Sequence, residues 1–146
     1  MPELTAEQVN GLLAGPVLAR LATVKPDGAP YVVPVWQHWD GEAMYVIPRR
    51  MSRFVEHIRS ESRVAVSCAD DLSSTRVLIE GTAEIVEGPA RMAGRMLEIA
   101  QGMALRYSGE PGLAYIEATM DKPRYLVRIT PLKMTTWTGG WHSRYG

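Results

Sequence analysis

The feature that most constrains the fold is a run of short extended segments and tight turns between residues 17 and 47. Residues 25–28 (KPDG) have turn chemistry, because proline fixes one backbone dihedral angle and glycine supplies a positive φ. Asp40-Gly41 predicts the second turn. Turns this short connect antiparallel neighbours, so we expect a three-stranded antiparallel meander at the start of the sheet.

The rest of the sequence predicts helices alternating with further strands. A capping box at Thr5 and Gln8 predicts a first helix, and an apolar stripe predicts a second from Ser52 to Ser60. Strands are expected at 63–69, 76–86 and 125–129, with 133–138 extending the sheet, and helices after Gly88-Pro89 and at 113–118. Small antiparallel sheets hide their edges by closing. We therefore predict one mainly β domain over residues 1–146, an antiparallel six-stranded barrel decorated by helices.

Charge, cysteine content and hydropathy exclude several protein classes. Sixteen basic and sixteen acidic residues cancel, whereas general nucleic-acid binding usually needs a basic excess. The one cysteine, Cys68, allows no intrachain disulfide framework, and its apolar alternating neighbours favour a core position. We find neither a signal-peptide pattern nor a run near the roughly twenty apolar residues that cross a bilayer. A cytoplasmic protein without nucleic-acid or membrane partners is expected.

Three arginines in five positions mark the turn between the third strand and the second helix. Arg49, Arg50 and Arg53 follow Pro48, and Ser52 stands just before the helix. Guanidinium groups, backbone amides and a helix N-terminus together suit an anion such as a phosphate. The functional interpretation is the anchor of a phosphate-bearing cofactor. The alternative is a solvated helix start whose arginines keep the loop soluble.

Other site chemistries have little support in the sequence. The three histidines at 38, 57 and 142 stand apart from one another, so we predict no metal site. Neither a serine-hydrolase elbow nor a glycine-rich dinucleotide fingerprint is present, and we name no catalytic side chain. Trp36 either packs in the core or a dimer interface, or forms a flat wall beside a cofactor ring. The stripe of methionines at 92, 96 and 103 is typical of core packing.

The chain resembles the FMN-binding split-barrel superfamily, the pyridoxamine 5'-phosphate oxidase-like proteins. Four stretches carry the resemblance: residues 22–31 (ATVKPDGAPY), 34–41 (PVWQHWDG), 49–58 (RRMSRFVEHI) and 76–84 (RVLIEGTAE). With residues 128–131 and Trp137, the likeness covers most of the chain. Each motif is short, so the order and spacing of the motifs are the main support for the resemblance.

The resemblance implies a homodimer with two equivalent cofactor sites at the subunit interface. The implied cofactor is FMN, or in a related branch the deazaflavin coenzyme F-420, while a smaller branch handles haem. The phosphate would lie at the arginine turn, and the ring against the second strand and near the start of the long strand. The implied cofactor-binding residues are Arg53, Ser52, Arg49, Arg50, Pro34, Val35, Trp36, Ile47, Pro48 and Arg76.

The implied function is an FMN-dependent oxidoreductase that transfers hydride to or from an unidentified small molecule. The alternatives are a deazaflavin-dependent reductase of the same fold and a non-catalytic flavin- or haem-binding protein. Phe54, Val33 and His38 stand where the oxidases carry basic residues, so we expect a substrate other than pyridoxamine phosphate. The aromatic tail at residues 137–146 is either an ordered lid over a partner's site or a loosely held end, and the cost of exposing large aromatic side chains favours the ordered lid.

Overall fold

The computed structural model describes residues 3–139. In chain order these residues form α1 (Ala6–Leu13), β1 (Ala19–Val24), β2 (Pro30–Val35), β3 (His38–Trp39), β4 (Met44–Val46), α2 (Arg53–Ser60), β5 (Arg63–Asp70), β6 (Thr75–Ala90), α3 (Gly94–Ser108), α4 (Glu110–Ala118) and β7 (Arg124–Trp137). The tail residues Trp141, His142 and Tyr145 lie outside the described residues. No helix within residues 3–139 is both long and apolar enough to cross a membrane.

The described strands form one antiparallel sheet in the order β2-β1-β5-β6-β7-β4-β3. The edge strands β2 and β3 follow each other in the chain, with only Trp36 and Gln37 between them. Three Cα–Cα steps span at most about 11 Å, so the sheet curls until its two edges approach each other here. In the central β6–β7 ladder, the register shifts at Gly81, where an added Cβ would lie 2.1 Å from the Thr130 carbonyl oxygen.

The predicted mainly β fold with an antiparallel sheet and helices is confirmed, but the described strands number seven instead of six, and their sheet does not close into a barrel. The predicted meander is wrong: β1 and β2 form a hairpin, but β3 and β4 form a separate one. Between them Gln37 is buried, its side-chain amide donates to the Leu13 carbonyl at 3.0 Å, and its N–H donates to the Tyr107 hydroxyl at 3.2 Å. These contacts with α1 and α3 hold the chain as it passes from one sheet edge to the other.

Two further boundaries differ from the sequence prediction. The helix expected at Gly88-Pro89 begins only at Gly94, because β6 continues to Ala90 in its ladder with β7. The two segments expected at 125–129 and 133–138 form one strand, β7. The bends in both strands are register shifts within the ladder, which sequence periodicity does not reveal.

The first and second predicted helices, α1 and α2, are confirmed. Thr5 and Gln8 form a reciprocal capping box at the start of α1. Helix α2 buries the expected stripe of Phe54, Val55 and Ile58. Ser52 stands at its N-cap but makes no side-chain capping bond, so its hydroxyl is not engaged by the helix.

Two apolar cores lie on opposite faces of β4 and β7. The alternating side chains of β4 send Met44 and Val46 into the larger core with α1, α2 and β5, whereas Tyr45 enters the smaller one with α3 and α4. Cys68 is fully buried in the larger core, and this burial raises the pKa of its thiol to about 12. The predicted core position of the cysteine is therefore confirmed. The methionines of the predicted stripe are buried in the smaller core: Met92, Met96 and Met103.

Candidate functional site

A cavity of about 620 Å³ is enclosed by β2, the end of β4, the arginine turn and the pair α3–α4. Its size is within the usual range for small-molecule sites. Most of the wall is apolar, and the described residues that line it include three arginines but neither aspartate nor glutamate. The lining residues are Tyr31, Val33, Val35, Trp36, Val46, Ile47, Pro48, Arg49, Ser52, Arg53, Phe54, Ala100, Met103, Ser108, Pro111, Gly112, Tyr115, Ile116 and Arg124.

One wall comes from the inward-facing side of β2. Alternation along the strand turns Tyr31, Val33 and Val35 towards the cavity, whereas Val32 and Pro34 are exposed on the other face. Trp36 continues this wall just after the strand ends. An apolar surface of this kind suits the flat ring of an aromatic ligand.

Trp36 is held in place by Tyr107 of α3. The two rings stack with centroids 5.2 Å apart and planes inclined by only 3°. The Tyr107 hydroxyl accepts the N–H of Gln37 at 3.2 Å and donates to the Val17 carbonyl at 2.5 Å. Because Tyr107 is fixed at both its ring and its hydroxyl, it fixes the plane of the Trp36 indole. Burial raises the pKa of the Tyr107 phenol.

The arginine turn supplies the polar part of the cavity. The chain leaves β4 through Ile47 and Pro48, turns with a hydrogen bond from the Ser52 N–H to the Arg49 carbonyl, and enters α2 at Arg53. Ser52, Arg53 and Arg49 line the cavity. The first backbone amides of a helix have no partner within the helix, so an anion beside Ser52 and Arg53 would meet donors from main chain and side chain.

Arg124, the first residue of β7, brings another guanidinium to this cavity. Only 7% of it is exposed. It donates to the Tyr115 hydroxyl at 3.2 Å, to Thr119 Oγ1 at 3.1 Å and to the Ile47 carbonyl at 3.4 Å. Its buried Nε has no hydrogen-bond partner among the described residues. A bridge between the backbones of Arg49 and Arg124 places these two arginines side by side.

Tyr115 of α4 joins the two arginines through one oxygen. Its hydroxyl accepts from Arg49 at 2.7 Å and from Arg124 at 3.2 Å. Both guanidinium carbons lie 5.6 Å from the centre of its ring. Partial burial raises the pKa of Tyr115, but the hydrogen bonds and charges of the two arginines outweigh it and leave the pKa below its ordinary value.

Most of the site residues expected from the sequence lie together in the structure, but three do not. Pro34 faces away from the cavity, and Arg50 is exposed, with its N–H bonded to the Pro123 carbonyl. Arg76 lies at the start of β6, where it forms an ion pair with Asp71 at 3.3 Å. The remaining seven line the cavity: Val35, Trp36, Ile47, Pro48, Arg49, Ser52 and Arg53.

Sequence reasoning missed the half of the cavity that comes from α3, α4 and β7. Tyr115 and Arg124 are 66 and 75 residues beyond Arg49, and they meet it through the pairing of β4 with β7 and the packing of α4 beside the turn. The available signal in the sequence is an arginine at the start of a predicted apolar strand, as in RYLVRI (residues 124–129). Charged residues are seldom buried without a partner or a function.

Comparison with known proteins identifies the family and the fold. The pyridoxamine 5'-phosphate oxidase family model matches residues 5–138. No curated protein sequence gives a significant match. The conserved hypothetical protein Rv2991 from Mycobacterium tuberculosis is similar in structure, with a TM-score of 0.76, 24% identity, and coverage of 92% of this chain and 85% of that chain.

Proteins whose names give different roles share this fold. An F420 reductase matches with a TM-score of 0.62 and 23% identity over 92% of this chain and 98% of its own. The haem storage protein HutZ from Vibrio cholerae matches with a TM-score of 0.69 and 18% identity over 91% of this chain and 95% of its own. At these identities the likeness establishes the fold alone. The family match, which covers nearly the whole chain and agrees with the resemblance seen in the sequence, shows that this protein belongs to the pyridoxamine 5'-phosphate oxidase family.

Proposed function

We propose that this protein is an oxidoreductase that binds FMN in the cavity and transfers hydride to or from a small molecule. The observation that carries the proposal is the composition of the cavity: an apolar wall on one side, and on the other arginines that form no ion pair within residues 3–139. FMN has the matching chemistry, a flat apolar ring system and a terminal phosphate. The family contains flavin-dependent oxidases, which agrees with this choice.

The residues of this chain would bind and orient the cofactor. Arg53 and Ser52 would hold the phosphate, for which the planar guanidinium fork of Arg53 is well suited. Trp36 and Val35 would lie against the ring, with Tyr107 fixing the indole plane. The flavin supplies the hydride chemistry, and the protein supplies binding, orientation and exclusion of water.

The phosphate assignment is tested by comparing FMN with riboflavin, which lacks the phosphate. We expect Arg53→Ala to weaken FMN binding by about 1.5–3 kcal/mol, the range for hydrogen bonds to charged groups, and to leave riboflavin binding unchanged. Fluorescence titration measures both affinities. Arg91→Ala is the matched control, because Arg91 is an exposed arginine outside the cavity. Equal losses for FMN and riboflavin would contradict the phosphate assignment.

The second candidate is a reductase that uses the deazaflavin coenzyme F-420. The similarity of nearly the whole chain to an F420 reductase favours it. Competition between FMN and the deazaflavin for the purified protein decides between the two candidates. Tight haem binding with no flavin binding would instead support a haem-handling role like that of the haem storage protein HutZ.

The proposed functional unit is a homodimer, as the family resemblance implies, and its proposed location is the cytoplasm. An apolar groove on the outer sheet face, lined in part by Ala22, Val24, Ala65 and Leu132, supports the proposal. Val32, which is 65% exposed, pairs with Ala22 in the β1–β2 ladder at the edge of this face. The single buried cysteine is compatible with a reducing compartment.

The dimer proposal is tested by placing a charge on this outer face. We expect Val32→Glu to convert a dimer into a monomer, because a carboxylate in an apolar interface loses its hydration without gaining a partner. Light scattering after size-exclusion chromatography measures the mass. A wild-type protein that is monomeric at all accessible concentrations would overturn the proposal.

A further inference from the structure

The positive charge in the cavity exceeds what one phosphate group neutralises. Arg49, Arg53 and Arg124 line it, and no described acidic residue does. The ion pairs found within residues 3–139 involve other arginines: Arg59, Arg63, Arg76, Arg95 and Arg128. A phosphate monoester carries at most about two negative charges near neutral pH. A ligand with a single phosphate therefore leaves at least one cationic group without an anionic partner.

Two of the three arginines form a group of their own around Tyr115. Arg49 and Arg124 both donate to its hydroxyl oxygen, at 2.7 and 3.2 Å. The Tyr115 hydroxyl oxygen only accepts hydrogen bonds from the described residues, so its own proton has no acceptor among them. Arg124 is more than nine-tenths buried, yet its Nε has no partner. Leaving a charged donor unpaired in the interior is costly, and an anionic ligand would remove that cost.

We propose that Arg49, Arg124 and Tyr115 form a second anion subsite, which binds a second phosphate or carboxylate group beyond the one held by Arg53 and Ser52. The inference rests on the proposed function and deepens it, because it assigns a second acidic group to what the same cavity binds. Two guanidinium forks and one phenolic O–H offer an anion several converging donors. Arg53 stays with the first phosphate at the start of α2.

The second anionic group has two sources with the same chemistry. It belongs either to the cofactor, as the second phosphate of a dinucleotide flavin does, or to an acidic substrate bound beside the cofactor. FMN and FAD separate these sources, because they share the ring and the first phosphate and differ in the second phosphate and the adenosine. Inorganic phosphate added to FMN-loaded protein serves as the probe for a substrate anion.

The experiment compares wild type with Arg124→Gln, Tyr115→Phe and the exposed control Arg91→Gln. Fluorescence titration gives the affinities for FMN and FAD, and calorimetry gives the affinity of the FMN-loaded protein for inorganic phosphate. Tyr115→Phe keeps the aromatic ring, and circular dichroism checks the folding of both cavity variants. Because Tyr115 is 42% exposed, its variant keeps the test valid if the buried Arg124 is needed for folding.

A cofactor source predicts that Arg124→Gln lowers the affinity for FAD about ten-fold more than the affinity for FMN, the size expected for one charged hydrogen bond. A substrate source predicts that FMN-loaded wild type binds phosphate and that Arg124→Gln weakens this binding about ten-fold. Tyr115→Phe lowers the same affinity as Arg124→Gln does, for FAD or for phosphate, by a smaller factor. The Arg91→Gln control changes none of them.

Two results would overturn the subsite. One is an equal loss of FMN and FAD affinity in Arg124→Gln with no phosphate binding by FMN-loaded wild type, which would make Arg124 part of the first phosphate site. The other is no change in any affinity. If the protein binds no flavin, the proposed function fails by itself, and inorganic pyrophosphate titrated into the free protein replaces the cofactors. An affinity for pyrophosphate that falls in Arg124→Gln keeps the subsite, and an unchanged affinity removes it.

Discussion

Two tyrosines on the pair α3–α4 serve the cavity in opposite ways. Tyr107 is fixed by stacking on Trp36 and by two backbone groups, and burial raises the pKa of its phenol. Tyr115 is bonded to two arginines, which lower its pKa. We call Trp36 with Tyr107 the aromatic part of the cavity, and Arg49, Arg53, Tyr115 and Arg124 the charged part.

The difference shows how one cavity separates orientation from anchoring. In the aromatic part, the Tyr107 hydroxyl is paired within the protein and the Tyr107 ring stacks on Trp36, so this wall is preformed. The charged part has more donors than the described chain satisfies, and its remaining capacity suits a ligand. Preformed walls lower the conformational cost of binding, whereas charged hydrogen bonds give affinity for a particular group.

The largest expected effect on stability comes from a substitution that pushes α4, the helix that carries Tyr115, away from α3. Gly112 is buried in α4, and an added Cβ would lie 2.2 Å from the Ala104 carbonyl oxygen of α3. Gly112→Ala must therefore move α4, which carries Tyr115. We expect the free energy of unfolding to fall by about 1–3 kcal/mol, the usual range for overpacking, as measured by urea denaturation.

Gly102→Ala is the matched control for this substitution. Gly102 lies in α3, and its added Cβ would meet nothing within 4 Å. Alanine there should leave stability unchanged or raise it by about 0.4–1 kcal/mol. Equal stabilities of the two variants would show that α3 and α4 are not in the close contact described above.

A smaller effect is expected from a substitution in the aromatic part, which should weaken the binding of the ring and leave the binding of the phosphate unchanged. Trp36→Ala removes the wall while leaving every cavity arginine in place. We expect FMN and riboflavin to lose the same binding free energy, about 0.5–1.5 kcal/mol for a lost aromatic contact. Fluorescence titration with both ligands measures the losses. A loss confined to FMN would mean that Trp36 acts on the phosphate and not on the ring.

The smallest expected effect is on the pH dependence of the free energy of unfolding at alkaline pH, to which Tyr115 and Tyr107 contribute in opposite directions. The pKa of Tyr115 lies below the unfolded value of about 10, so between these two values the unfolded state binds more protons and the stabilising contribution of Tyr115 grows as pH rises. It is fully present above about pH 10 and is lost as pH falls through the folded pKa. The raised pKa of Tyr107 has the reverse effect: its contribution is present below about pH 10 and is lost as pH rises further.

Ultraviolet titration of phenolate formation tests this pair. Tyr115→Phe should remove a tyrosine that ionises early, and Tyr107→Phe one that ionises late. Because Tyr115 is 42% exposed, solvent screens its interactions and the effect on stability is small. Both variants removing the same part of the titration curve would contradict the assignment of opposite environments.

Local signals predicted the elements of this fold better than its connections. The capping box at Thr5 and the apolar stripe of α2 depend only on neighbouring residues, and both are confirmed. The pairing of β4 with β7 depends on residues about 80 positions apart, and no short pattern in the sequence encodes it. The predicted meander is therefore wrong, whereas the two turns predicted at residues 25–28 and 40–41 are confirmed.

The same distinction applies to the candidate site. The arginine turn was visible because Arg49, Ser52 and Arg53 are close in sequence and match a family motif. Arg124 and Tyr115 have no motif, and their meeting depends on how α4 and β7 pack beside the turn. Arg76, which was assigned by resemblance, lies outside the cavity of this chain, and its role in cofactor binding stays a prediction.

The most direct test of the central claim is a crystal structure of the protein with FMN. The account predicts that the phosphate lies within hydrogen-bonding distance of Arg53 and the Ser52 hydroxyl, and that the ring lies against Trp36. A flavin ring bound in this cavity with its phosphate in solvent, or a flavin bound elsewhere, would contradict it.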